Sequence, residues 1–152
     1  MNKAFKIETH IPVKFKKLHP DAQVPVYATP GSACFDIFSV ECKWIRGGYS
    51  EIFETGIAFE IPENHVLMVF SRSGHGFKND IRLSNSVGIL DHDYRGELKV
   101  KLRSDGDEDV FVDVGDRIAQ GIVIPYPKVY FEEVKELSET DRGTGGFGST
   151  GK

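Results

Sequence analysis

Apolar and polar residues alternate with a period of two along much of the chain. The clearest case is residues 98–103, LKVKLR, in which three apolar positions alternate with three cations. A period of two places the apolar side chains on one face of a β-strand and the cations on the other. Residues 13–16, VKFK, repeat the pattern. We therefore expect half-buried strands with a basic outer face.

Further segments are rich in Val, Ile and Phe and are separated by Gly, Pro, Asn and Asp, which favour turns. Strands are expected at residues 52–61, 66–70, 110–114, 118–124 and 129–134, and turns at 62–64 and 104–108. No window carries a long 3.6-residue stripe, and only residues 73–80 suit a short helix. Many short strands with frequent turns predict an all-β fold, a single-domain sandwich or barrel.

The C-terminal residues differ from the rest in composition. Residues 142–152 read RGTGGFGSTGK and hold five of the 16 glycines. Glycine this dense does not pack as a core strand, because it has no side chain to bury and a high ordering entropy. We expect a mobile arm at residues 138–152 after a globular domain at residues 1–137. Composition alone favours a disordered tail as the alternative.

The arm also matches two phosphate-binding patterns, G-x-G-x-x-G at residues 146–151 and most of the P-loop pattern at residues 146–152. Both motifs present the N-terminus of a following helix to phosphate, and neither a helix nor a preceding strand is expected here. We reject both interpretations on context. Glycine-rich amides together with Arg142, Ser149 and Thr150 still suit an anion.

Composition narrows the class of protein. A chain of 152 residues suits one domain, and 39% hydrophobic with 28% charged residues is ordinary for a soluble globular protein. The net charge of -4 disfavours a nucleic acid polymer as partner, but not a single nucleotide. With no membrane-spanning run and no signal-peptide core, we expect no membrane partner and a cytoplasmic or otherwise intracellular protein. Cys34 and Cys42 are expected to be reduced, and the histidines and cysteines lack zinc-ligand spacing.

Polar residues cluster without following the strand period in four segments, 30–36, 71–74, 85–96 and 115–120. They contain the groups that phosphate-ester chemistry needs. Arg72 is a fork-shaped donor suited to phosphate oxygens, and Ser73 and Gly74 add a hydroxyl and an unobstructed amide. Asp91 and Asp93 are candidates for activating water or contacting magnesium.

Two side chains of the third segment suit a nucleoside. Asn85 offers a donor and an acceptor on one planar group, which fits a base edge, and Tyr94 offers a flat face for a sugar or base. Plainer interpretations stand beside these. Asp-Tyr-Arg-Gly at residues 93–96 suits a β-turn closed by glycine, and Arg72 suits a surface cation. No single segment justifies the assignment of an enzyme.

In this order, the four segments and the arm resemble the five motifs of the trimeric deoxyuridine triphosphatase family. The matching residues are 31–33 with Asp36, 72–74, 88–96 with its central Asp-x-Asp-Tyr-Arg-Gly, 115–120 and 142–151. The resemblance runs from about residue 13 to the end of the chain. It implies a β jelly-roll that forms a homotrimer with three sites between subunits. One subunit supplies the first, second and fourth motifs, a neighbour the third motif, and the third subunit the arm.

The activity that the resemblance implies is magnesium-dependent hydrolysis of dUTP to dUMP and pyrophosphate, by attack of water on the α-phosphorus. This reaction would limit uracil incorporation into DNA and supply dUMP for thymidylate synthesis. Asp91 resembles the general base. Gln120 and Asp36 match positions that order water, with Asp36 near the hydration shell of Mg²⁺. The metal would have no direct protein ligand, because phosphates and water would hold it.

The resemblance also implies how the substrate would bind. The hairpin between Asn85 and Tyr94 would pair with uracil, reject cytosine, exclude the thymine methyl group and leave no room for a 2′-hydroxyl. Phe147 would stack on the base as the arm closes over the phosphates. The residues expected to bind substrate are Arg72, Ser73, Gly74, Asn85, Gly88, Leu90, Tyr94, Arg142, Gly146, Phe147, Gly148, Ser149 and Thr150.

Three alternatives remain at this point. A deoxycytidine triphosphate deaminase would share the fold, but it uses a catalytic glutamate and lacks this form of arm. A binding or signalling trimer would keep nucleotide binding and act on a protein partner. A structural β-trimer with a disordered tail would leave Arg72, Asn85 and Asp91 without a role. The chain departs from the family pattern at Cys34-Phe35, and at His75-Gly76, where the family usually has an apolar residue.

Overall fold

Strands dominate the structure, a computed structural model that describes residues 10–149. One short helix interrupts them, as expected for residues 73–80. In chain order the elements are β1 (Lys14–Lys17), β2 (Phe35–Phe38), β3 (Lys43–Ile45), β4 (Ser50–Glu60), β5 (His65–Phe70), α1 (Ser73–Asn79), β6 (Ile81–Leu83), β7 (Val87–Leu90), β8 (Glu97–Ser104), β9 (Val110–Val112) and β10 (Arg117–Pro125).

Eight of the ten strands form two antiparallel four-stranded sheets. Their orders are β1-β4-β8-β6 and β2-β10-β5-β7, and β3 pairs with β9 in a small third sheet. One core cluster joins both large sheets, with Phe53 and Leu102 from the first and Leu67 and Ile118 from the second, all buried. Burying each such side chain stabilises the fold by about 1.5–3 kcal/mol. Two packed four-stranded sheets are the jelly-roll arrangement, which confirms the all-β prediction.

The alternation in β8 has the predicted consequence. Leu98, Val100 and Leu102 are buried, and Lys99 and Lys101 point to the exposed face. The strands expected at 13–16, 52–61, 66–70, 110–114 and 118–124 are also present, with bounds shifted by a few residues. The turn at residues 62–64 is closed by the N–H of His65, which donates to the carbonyl of Pro62 at 3.1 Å.

The strand predicted at residues 129–134 is wrong. This segment has no strand in the structure, and Phe131 is 94% exposed. The pattern indicates an apolar face, but a strand also needs a neighbour to pair its backbone, and no strand of residues 10–149 pairs with this segment. Four short strands were not predicted, namely β2, β3, β6 and β7, since three or four residues are too few to show a period.

The chain leaves the sheets after Pro125, and residues 127–144 are exposed. A series of turns follows, in which Gly143 donates to Thr140, Gly145 to Arg142 and Ser149 to Gly146 through backbone hydrogen bonds of 3.0–3.1 Å. The domain boundary at residue 137 and the mobility of the arm stay predictions. Thr150 lies outside the described residues.

Cys34 and Cys42 form no disulfide. Within residues 10–149, no helix has the length and apolar character that crossing a membrane requires.

Candidate active site

Arg72 lies between the end of β5 and the start of α1, and its guanidinium is held on two sides. Nε donates to Oδ1 of Asp36 at 2.9 Å, and Nη1 donates to the carbonyl of Arg117 at 3.2 Å. A guanidinium has five N–H donors, so two are used in orienting the group. The others have no partner in the described part of the chain. A fork fixed in this way presents its free donors to an anion such as phosphate.

Asp36 is the acid that fixes this arrangement. It lies on β2, is only 7% exposed, and its Oδ2 accepts from Nη1 of Arg117 at 3.2 Å. One buried carboxylate therefore holds two guanidinium groups, and the three side chains together carry a net charge of +1. A cationic cluster at a concave surface attracts phosphate. Arg117 was not singled out from the sequence, although it lies in the fourth motif.

A cavity of about 310 Å³ adjoins Arg72, with Ser71, Ser73, Phe77 and Gln120 in its lining. The Nε2 amide of Gln120 donates to the carbonyl of Ser71 at 2.9 Å, so its oxygen stays available to water or substrate. Ser73 and Gly74 lie in the first turn of α1, where backbone amides lack intrahelical partners. A Cβ at Gly74 would meet no atom within 4 Å, so the space beside its Cα is open.

The second cavity, of about 460 Å³, lies beside residues 85–94, which contain β7 and the turn after it and which we call the β7 hairpin. Five residues predicted to act on substrate line it, namely Asn85, Gly88, Leu90, Asp91 and Tyr94. They come together because the hairpin is contiguous in sequence and β7 pairs with β5. Gly88 packs closely on β5, where a Cβ would lie 3.2 Å from Cβ of Val69.

The position of Tyr94 depends on two residues that follow the β7 hairpin. Its hydroxyl donates to the carbonyl of Glu97 at 3.1 Å. The ring lies so close to Gly96 that a Cβ there would overlap the hydroxyl oxygen. The hairpin also turns at residues 91–94, where the N–H of Tyr94 donates to the carbonyl of Asp91 at 3.2 Å. The same residues therefore form both the turn and the candidate site. Glu97 lies next to the site and was not predicted from the sequence.

The two cavities share no lining residue, but the N–H of Leu83 in one donates to Oγ of Ser71 in the other at 2.9 Å. Arg72 follows the end of β5, whereas Asp91 follows Leu90, which pairs with Leu67. Arg72 lies two residues beyond the end of β5 at Phe70, so a fully extended path would place Arg72 and Asp91 up to about 20 Å apart within one chain.

The arm is folded on itself. Nε of Arg142 donates to the carbonyl of Gly145 at 2.8 Å, and the Phe147 side chain is exposed. Gly148 and Phe147 have positive φ angles of 92° and 51°. Glycine tolerates such angles and phenylalanine does so at a cost. Among the described residues, no arm residue, Gly146 and Ser149 included, lines either cavity.

Residues 20–151 match the model of a protein family described as dUTPase. The chain belongs to the dUTPase family. A deoxyuridine 5′-triphosphate nucleotidohydrolase of Clostridium acetobutylicum is 48% identical over 139 residues, which are 91% of this chain and 96% of that protein. One from Hydrogenobaculum sp. is 44% identical over 137 residues, or 90% and 95% of the two chains.

A solved structure of this dUTPase family agrees in fold. The dUTPase of Staphylococcus bacteriophage 80alpha, in complex with dUPNHPP, superposes with a TM-score of 0.85 at 26% identity. The match covers 93% of this chain and 99% of the phage chain. The resemblance seen in the sequence motifs is therefore confirmed at the level of family and fold.

The side chains near Arg72 suit a metal ion that binds together with the phosphates of a substrate. Among residues 10–149, no three His, Cys, Asp or Glu side chains lie close enough together to hold a metal ion. Both oxygens of Asp36 accept from guanidinium groups, so a hydrated metal would have to use their remaining lone pairs. Mg²⁺ keeps several waters and binds through substrate phosphates in many proteins, which fits this set of residues.

Proposed function

We propose that the protein is a dUTP diphosphatase, which hydrolyses dUTP to dUMP and pyrophosphate with Mg²⁺. It would thereby limit uracil incorporation into DNA and supply dUMP for thymidylate synthesis. The observation that carries the proposal is the pair of partial sites. One presents a hairpin with Asn85, Asp91 and Tyr94 to a cavity of nucleoside size, and the other presents Arg72 in a fixed orientation beside Ser73. Nucleoside and triphosphate recognition are the two requirements of this substrate.

The complete site lies between subunits of a homotrimer. A separation of up to about 20 Å between Arg72 and Asp91 in one chain supports this arrangement, because a base and a phosphate donor must both reach the α-phosphate. The exposed segment at residues 129–137 supports association as well, since Tyr130, Phe131 and Leu137 are each more than 85% exposed. Contiguous exposed apolar side chains are typical of contact surfaces.

Asp91 acts as the general base. Its carboxylate takes a proton from a water as the water oxygen bonds to the α-phosphorus. The bond from the α-phosphorus to the oxygen shared with the β-phosphorus breaks, and that oxygen leaves with pyrophosphate. Arg72 and Ser73 bind phosphate oxygens, and Gln120 orders water through its free amide oxygen. Magnesium, when bound through phosphates and water with Asp36 nearby, neutralises charge on the triphosphate. Asp36 holds Arg72 in position throughout.

Specificity comes from the β7 hairpin. Asn85 and backbone groups of Gly88 and Leu90 pair with the edge of uracil, and cytosine leaves the same groups unpaired, which costs up to about 10⁴–10⁵ in specificity. The ring of Tyr94 packs under the deoxyribose. The arm completes the site when Phe147 stacks on uracil, Arg142, Ser149 and Thr150 bind the terminal phosphates, and Gly146 and Gly148 let the backbone approach them.

The test is pyrophosphate release from dUTP, dCTP, dTTP and UTP, each with magnesium and with a chelator. Release from dUTP alone, and only with magnesium, is the expected result. Ammonia release from dCTP would assign the protein to the deaminase branch instead. Binding of dUTP without turnover would assign it a binding role.

A further inference from the structure

His75 contacts the same carbonyl oxygen as Arg72. Its Nε2 lies 2.8 Å from the oxygen of Arg117, to which Nη1 of Arg72 also donates. Because a carbonyl only accepts, Nε2 must carry a proton and donate it. The other ring nitrogen, Nδ1, is buried and has no hydrogen-bond partner among residues 10–149. The ring is therefore committed to Arg117, at the point where β10 carries a bulge between Arg117 and Ala119.

Helix α1 has few other contacts that hold it against the sheets. It is seven residues long, has no buried residue, and lacks a side-chain hydrogen bond at its N-cap, Arg72. Helices this short are marginal unless tertiary contacts hold them. The side chains of Arg72 and His75 both tie the start of α1 to β10. Arg72, however, is also the group that must bind phosphate.

We propose that His75 is a positioning residue for triphosphate binding, and this inference rests on the proposed function. His75 holds the first turn of α1 against β10 through Arg117. With this contact in place, the side chains of Arg72 and Ser73 keep their positions when the free N–H groups of Arg72 bind phosphate.

The test compares three substitutions of His75 with a matched control. His75→Leu removes the donor at similar volume. His75→Gln places an amide N–H near the position of Nε2, whereas the shorter His75→Asn does not reach the carbonyl. His65→Leu makes the same chemical change at the start of β5, where Nδ1 of the ring lies 3.0 Å from the carbonyl oxygen of Glu63.

Two ligands separate positioning from general loss of structure. dUpNHpp carries the triphosphate and deoxyuridine does not. We expect His75→Leu and His75→Asn to weaken dUpNHpp binding about threefold to tenfold, the equivalent of one lost hydrogen bond, and to leave inhibition by deoxyuridine unchanged. His75→Gln and His65→Leu should bind both ligands as the unsubstituted protein does.

Equal dUpNHpp affinity in His75→Leu and the unsubstituted protein would overturn the inference and leave the proposed function intact. Equal loss of both ligands in His75→Asn would also overturn it, since that marks a general structural role. If His75→Leu does not fold, the comparison of His75→Gln with His75→Asn decides the question. An unsubstituted protein that neither binds dUpNHpp nor hydrolyses dUTP would overturn the proposed function itself.

Discussion

Oδ1 of Asp36 lies 2.9 Å from Nε of Arg72, while Oδ2 of the same carboxylate lies 3.2 Å from Nη1 of Arg117. The three residues come from three different parts of the chain, β2, the start of α1 and the start of β10. A nearly buried acid shared by two cations gives the phosphate-binding guanidinium one defined orientation. Such a group loses little entropy when it binds substrate, which is what effective phosphate positioning requires.

Substitution Asp36→Asn should therefore impair both activity and stability. An amide has only one acceptor oxygen, so at least one guanidinium loses its partner. We expect kcat/KM for dUTP to fall about 10–100-fold and the free energy of unfolding to fall by about 1–3 kcal/mol, toward the lower end because Arg117 is half exposed. Steady-state kinetics and urea unfolding measure the two effects. Asp21→Asn, at an exposed acid, is the control, and unchanged kinetics in Asp36→Asn would contradict the positioning role.

Local features of this site were predictable from sequence, and distant ones were not. Asn85, Gly88, Leu90, Asp91 and Tyr94 line one cavity because a single hairpin carries them all. The contact between Asp36 and Arg72 joins residues 36 positions apart, and no spacing in the sequence indicates it.

The failed strand at residues 129–134 and the unpredicted role of His75 have a common cause. A pattern of apolar and polar residues indicates which side chains are buried. The residues that contact those side chains depend on the tertiary fold. Phe131 has no partner strand in the described chain, and the ring of His75 meets a carbonyl that lies 42 residues later. Neither neighbour is visible in a window of the sequence.

The ring of Tyr94, rather than its hydrogen bond, should determine sugar selection. In Gly96→Ala the new Cβ overlaps the hydroxyl of Tyr94, so the ring must move. We expect Gly96→Ala to lower kcat/KM for dUTP about 10-fold or more and to narrow the preference for dUTP over UTP. Tyr94→Phe keeps the ring and loses only the hydrogen bond to Glu97. That loss should lower the free energy of unfolding by about 0.5–1.5 kcal/mol.

Kinetics of both variants with dUTP and UTP distinguish the two contributions. The ring is the determinant if Tyr94→Phe keeps the preference for dUTP that Gly96→Ala loses. The opposite ranking would assign selection to the hydroxyl. Gly106→Ala, where a Cβ would lie 3.3 Å from a carboxylate oxygen of Asp80, is a control for a glycine substitution outside both cavities.

Asp105 should make stability depend on pH at the acid end. The hydrogen bond from Arg82 and then that from Arg103 hold the pKa of Asp105 below its ordinary value of 3.8. A carboxyl group with a lowered folded-state pKa stabilises the fold above its unfolded pKa and loses that effect as pH falls through the folded pKa. The urea midpoint of Asp105→Asn should therefore lie below that of the unsubstituted protein near pH 6, and the gap should close as pH falls below about 3.8.

Added salt should also narrow this gap near pH 6, because the group is at the surface and its ion pairs are screened. Asp107→Asn, two residues away, is the matched control, and its urea midpoint should follow that of the unsubstituted protein across the same pH range. A gap between Asp105→Asn and the unsubstituted protein that persists at low pH would show that the substitution acts through something other than the charge of Asp105.

Two inactive variants should restore activity to each other if the site is shared between subunits. Asp91→Asn removes the general base, so we expect a rate about 10²–10⁴ lower, and Arg72→Ala removes the phosphate fork, which lies up to about 20 Å away in the same chain. Each homotrimer is then nearly inactive. In a mixed trimer, some sites receive an intact Arg72 from one subunit and an intact Asp91 from its neighbour. With equal, random mixing about a quarter of the sites over all trimers are complete, and within each mixed trimer one site of the three is complete.

Coexpression of the two variants with different affinity tags, followed by sequential purification on both tags, isolates the mixed trimers. Their kcat per site for dUTP should rise far above that of either parent, toward about a third of the unsubstituted value, because one of the three sites in every mixed trimer is complete. Coexpression of two Asp91→Asn chains with the same tags is the control for the procedure. If each chain carried a whole site, no mixing could rebuild one, because every chain lacks either its base or its phosphate fork, and the mixed trimers would then stay as inactive as their parents.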